Sequence, residues 1–79
     1  MNQQLAVLLA DVFAMRVSDI HPDLKKDDVG SWDSLKQMDL VMSLERTYGI
    51  ALDIPDILQM VSVAAVIAVL IAKGVDLGD

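Results

Sequence analysis

Apolar residues along this chain recur at intervals of three and four. Leu5, Leu8, Leu9, Val12 and Phe13 lie on one face of an α-helix and predict a first helix over residues 3–15 with Asp11 facing outward. The pattern breaks from Arg16 to Trp32, a connection that holds Pro22, Gly30 and five aspartates or lysines between Asp23 and Asp28. Val17, Ile20, Leu24 and Val29 punctuate this stretch and are expected to pin it onto the helices. So long a loop in a small domain is functional or partly helical. Asp33 can cap a second helix over residues 34–48, which Gly49 ends. Asp53 followed by Ile54-Pro55 opens a short third helix to about residue 60, since proline is tolerated in a first turn. Ser62 caps a last helix from Val63 to Lys73, closed by Gly74. The β-branched residues from Val61 to Ile71 leave a strand as the alternative there. The expected fold is all-α, a four-helix bundle with a long first loop and a short third helix, forming one domain over residues 1–79.

The second helix carries two apolar stripes. Leu40, Val41, Leu44 and Tyr48 fall on one side; Leu35, Met38 and Met42 fall nearly opposite, flanked by Asp39, Glu45 and Arg46. One stripe is enough to pack a bundle. The second either buries a helix sandwiched at the centre or is a docking surface, for which flexible methionines among charges are well suited. The expected core comprises Leu5, Leu9, Val12, Leu40, Leu44, Tyr48, Val63, Ile67 and Leu70.

Composition narrows the function. A chain of 79 residues buries only about 60% of its unfolded surface, and 54% hydrophobic residues with a mean hydropathy of +0.49 supply the dense core this demands. Disorder is excluded. There is no cysteine, hence no disulfide, thiolate metal site or protein thiol nucleophile. A net charge of −6 makes nucleic acid a poor partner and favours basic ones. The longest apolar run, Val61 to Ala72, is twelve residues with Ser62 inside it. A membrane span needs about twenty, and the N-terminus lacks the basic start of a signal peptide. A soluble, cytoplasmic monomer is expected.

At the edge of the outer stripe stands Asp33-Ser34-Leu35. A serine there is commonly a cap. As a hydrolytic nucleophile it lacks a base, because the only histidine, His21, sits in the loop with no specified partner. The longer pattern is more specific: Gly30-Ser31-Trp32-Asp33-Ser34-Leu35, then Asp39-Leu40-Val41-Met42-Ser43-Leu44-Glu45, then Tyr48-Gly49-Ile50. It resembles the carrier-protein family, the acyl and peptidyl carrier proteins. The likeness runs from Asp33 through Val63 without an evident gap and includes the short third helix.

The resemblance implies that Ser34, set between Asp33 and Leu35, accepts 4′-phosphopantetheine from coenzyme A through a phosphopantetheinyl transferase. The arm would supply the missing thiol and carry an acyl or aminoacyl group as a thioester, which the apolar interior could shelter. Leu35, Met38, Asp39, Met42, Glu45 and Arg46 would then dock acyl-activating or acyl-transferring enzymes of lipid or secondary metabolism. The chain would be a carrier, not an enzyme, with no metal. Its phosphate would sit at a helix N-terminus, where free amides favour negative charge.

Two departures from the family pattern point to a specialised carrier. Ser31 and Trp32 put two residues, not the usual one, between the glycine and Asp-Ser-Leu; Trp32 is expected to clamp the helix entry. Lys36 and Arg46 stand where fatty-acid carriers show acids, so three acids and two bases between Asp33 and Arg46 leave only −1. The rivals are a domain excised from a synthase, against which Met1 and the compact ends argue, and a helical interaction module without a prosthetic group.

Overall fold

A computed structural model describes residues 1–78. Among the described residues there are four α-helices: α1 (Gln3–Phe13), α2 (Ser34–Tyr48), α3 (Ile54–Gln59) and α4 (Val63–Ala72). The fold is the expected all-α bundle, and Val61 to Ile71 is not a strand. α1 packs on α2 and α3 on α4. Leu5 and Leu9, Leu40 and Leu44, and Met60, Val63, Val66 and Leu70 are completely buried between them.

The helix starts follow from side-chain capping. The oxygens of Asn2, Asp33, Asp53 and Ser62 each accept the amide three residues on, satisfying a donor that has no partner inside the helix. Asp53 and Asp56 cap reciprocally, the Asp56 carboxylate accepting the Asp53 amide at 3.1 Å. The ends are less regular. α1 stops at Phe13, two residues before the expected boundary, because Ala14 turns left-handed (φ 55°, ψ 46°) and the Met15 amide donates back to the Ala10 carbonyl at 2.9 Å. α3 and α4 each end one residue short of expectation, which is ordinary fraying.

The long connection is partly helical, with 3-10 turns at Val17–Asp19 and Lys26–Asp28. Ile20, Leu24 and Val29 are buried as anticipated, whereas Val17 is exposed, although its turn packs against α1. Backbone bonds from Lys26 N to Val61 O and from Val63 N to Leu24 O, both 2.9 Å, stitch the loop to the entry of α4. Two other core assignments need correction. Tyr48 and Ile67 are only partly buried, since each lies at the edge of its helix's packed face. At the far end the Asn2 side chain donates to the Leu77 carbonyl at 2.7 Å and ties the two ends together.

Candidate functional site

Ser34 opens α2, and three features fix its surroundings. The first is the cap. Asp33 is extended (φ −102°, ψ −170°), its carboxylate accepts the Lys36 amide at 2.9 Å, and its carbonyl accepts the Gln37 amide at 2.8 Å. The Ser34 and Leu35 amides, ahead of these, have no acceptor in the preceding turn. They are the free donors, on the positive end of a fifteen-residue helix, that attract an anion.

The second feature is the wall behind the serine. Trp32 is 3% exposed and its ring lies 4.5 Å from that of Phe13 at 31°, a tilted aromatic contact at the foot of α1. Its indole N–H donates to Gln37 Oε1 at 2.6 Å, and Gln37 Nε2 donates to the Ile57 and Met60 carbonyls at 3.0 and 3.2 Å. Ser31 adds a bond from its hydroxyl to the Phe13 carbonyl at 3.1 Å. The two residues between Gly30 and Asp33 are therefore both anchors, and Trp32 is the expected clamp. Gln37 went unnoticed in the sequence, where it is one polar position between two stripes.

The third feature is the surface around Ser34, which is itself exposed. A cleft of about 400 Å³ between α2 and α3 is lined by Lys26, Ser34, Gln37, Met38, Ile57, Leu58 and Val61. An open groove of about 580 Å³ on the outer side of α2 is lined by Ser34, Leu35, Met38, Asp39 and Met42. Ser34 and Met38 belong to both, so the serine stands where the two meet.

The outer stripe is exposed in full: Leu35 76%, Met38 50% and Met42 59%. This settles the face of α2 in favour of a free surface over a central sandwich. Lys36 and Asp39 lie 3.9 Å apart on it, and Arg46 is exposed beyond them. Glu45 differs from its neighbours. It is half-buried and its carboxylate accepts the Leu52 amide at 2.8 Å, so it braces the α2–α3 connection. Sequence reasoning also missed a continuation of the apolar surface on and after α3, where Ile54, Leu58 and Val61 are exposed. Their spacing of four and three was the available signal.

No histidine adjoins Ser34, and the carboxylate of the neighbouring Asp33 is taken up by the Lys36 amide. His21 is exposed in the first connection, and no side-chain hydrogen bond among the described residues involves the Ser34 hydroxyl. The groups that titrate away from their ordinary values lie elsewhere. The Lys73 ammonium, 2.8 Å from Asp56 on α3, holds that carboxyl low and is itself raised. Burial pushes the Tyr48 phenol up, and its oxygen is enclosed without a partner. No helix among the described residues is long and apolar enough to cross a membrane.

A comparison with curated protein sequences gives no match. Among protein families, the model described as a phosphopantetheine attachment site matches residues 3–70, nearly the whole bundle. Domains of this kind are generally carriers that work with enzymes and are not themselves catalysts. The chain belongs to the phosphopantetheine-attachment-site family, defined by 4′-phosphopantetheine bound covalently to a serine, and is a phosphopantetheine-carrying protein.

Proposed function

We propose that Ser34 bears the phosphopantetheine and that the arm's thiol carries an acyl group as a thioester. The observation that carries this reading is the position of Ser34, an exposed hydroxyl on the first turn of α2 at the junction of an apolar cleft and an apolar groove. The residues fit the group. The Ser34 and Leu35 amides offer donors to a phosphate, and the arm brings the thiol that a chain without cysteine cannot provide. On loading, a phosphoester bond forms at Ser34 Oγ as the pyrophosphate linkage of coenzyme A breaks, adenosine bisphosphate leaves and the hydroxyl loses its proton. The transferase is expected to supply the base, since the neighbouring Asp33 carboxylate is engaged as the helix cap.

The walls of the cleft favour acyl over aminoacyl cargo. Met38, Ile57, Leu58 and Val61 give apolar contact, and no carboxylate lines the cleft to pair with an amino group. The outer stripe, Leu35, Met38 and Met42 with Asp39 and Arg46, is the docking face for the transferase and for acyl-transferring enzymes. Six exposed apolar side chains across α2 and the α3 region are a sizeable patch for a domain this small, and such patches mark interaction sites.

The test is intact mass after incubation with coenzyme A and a broad-specificity phosphopantetheinyl transferase. The wild-type chain gains one phosphopantetheinyl group and Ser34→Ala, folded as judged by its helical signal, gains none. Modification of Ser34→Ala, or an unmodified wild-type chain, overturns the assignment.

A further inference from the structure

Lys26 is the one cation in the cleft that Ser34 opens onto. Its backbone is fixed there: the Lys26 amide donates to Val61 O at 2.9 Å and its carbonyl accepts the Val29 amide at 3.2 Å. Its side chain is half-buried, with the stem free to cover apolar wall while the ammonium reaches outward. Among the described residues it has no carboxylate partner. The ion pairs among the described residues are Arg16 with Asp19, Lys36 with Asp39 and Lys73 with Asp56. Of the acids near it in sequence, Asp28 accepts the Lys25 amide, and neither Asp23 nor Asp27 comes within ion-pair distance of the Lys26 ammonium. The Gln37 amide is likewise engaged, by Trp32, Ile57 and Met60. Apart from the Ser34 hydroxyl itself, Lys26 is thus the one uncommitted polar side chain lining the cleft, and it is positive in a chain of net charge −6.

We propose that Lys26 pairs with the phosphate carried on Ser34, binding the root of the arm at the mouth of the cleft. The proposal rests on the assignment of Ser34 above. Among anions the arm could bring, the phosphate is the one present whatever the cargo, and it is joined directly to the Ser34 oxygen, inside the perimeter that Lys26 shares. Its charge also lies beside Asp33, which raises the need for a local cation. Lys36 already has Asp39 for a partner on the outer side of α2. Pairing at Lys26 would direct the arm toward the cleft and away from the docking groove.

The experiment compares apo and loaded protein by NMR, with loading verified by mass. On loading, the Lys26 side-chain nitrogen resonance shifts and that of Lys25, exposed on the preceding residue, does not. In the loaded protein the phosphorus resonance moves in Lys26→Met, is unchanged in Lys25→Met and is restored in Lys26→Arg. In about 1 M salt the difference shrinks as the Debye length falls to about 3 Å. An apo/loaded cycle of unfolding equilibria gives a second readout. Lys26→Met should remove about a 1.4- to 5-fold contribution of loading to the folding constant, the range of an exposed ion pair. A phosphorus resonance indifferent to Lys26, or a Lys26 response that appears only when a carboxylate-ended cargo is added, overturns the proposal while leaving Ser34 assigned. Failure of the wild-type chain to gain mass overturns both.

Discussion

Replacing Gln37 with methionine keeps an unbranched side chain of similar length and deletes its amide. Gln37 is buried, as are its bonds to the Trp32 indole at 2.6 Å and the Met60 carbonyl at 3.2 Å; the bond to Ile57 O at 3.0 Å is partly exposed. Leaving a buried donor or acceptor unpaired costs about 1–3 kcal/mol each, so the two buried partners together set a scale of about 2–6 kcal/mol. The lower half applies, because α3 has no buried residue and its last carbonyls can tilt toward water. The expected loss is about 2–4 kcal/mol, out of a total that for a domain of this size is about 4–12 kcal/mol. Urea unfolding followed by the fluorescence of Trp32 measures it, and hydrogen exchange shows where it acts. Protection should fall first at α3 and Met60 and last in α1. A loss below about 0.5 kcal/mol, within the range of an ordinary surface change, would refute the claim that one glutamine couples the entry of α2 to the end of α3.

Acid should act on the other attachment of α3. The hydrogen bond from Lys73 holds Asp56 below its ordinary 3.8, so the contact stabilises the fold above that value and is lost as pH falls through the depressed one. Asp56→Asn should flatten the fall of the urea midpoint below about pH 4; an unchanged acid limb would show that the bridge contributes nothing. On the outer face, Met42→Ala should leave stability within about 1 kcal/mol while lowering kcat/KM for loading of Ser34 by the transferase. Arg46→Glu should change the salt dependence of that rate, and a Met42→Ala chain that unfolds would place the stripe in the core.

The helices were legible because their determinants are local. The caps Asp33, Asp53 and Ser62 act on amides three residues away, and apolar spacing identifies a face without reference to anything distant. Depth on that face is not local, which is why Tyr48 and Ile67 look like core in sequence and are only partly buried in the bundle. Ala14 carries no stop signal, because its left-handed turn is imposed by the chain that follows. Gln37 was invisible for a related reason: its acceptors lie 20 and 23 residues onward and exist only once α3 has docked. Lys26 reaches the serine's cleft through the bond to Val61, a pairing no periodicity announces.

The two faces of α2 answer to different constraints, and Gln37 lies between them. Leu40 and Leu44 are completely buried, and any change of volume there is felt by the whole bundle. Leu35, Met38 and Met42 are exposed, so their identity is freer to follow a partner, and methionine adapts to more than one. Ser34 sits where these regimes meet, at the end of α2 that the Trp32–Gln37 pair makes rigid. A group attached there is held at a defined point on the fold, with an apolar cleft on one side and an apolar groove on the other. The same short α3 closes the cleft and extends the exposed surface with Leu58 and Val61 beside it. On the proposed reading, a partner that covers this surface would touch the wall of the cleft directly, and docking and access to the cargo would need no coupling over distance.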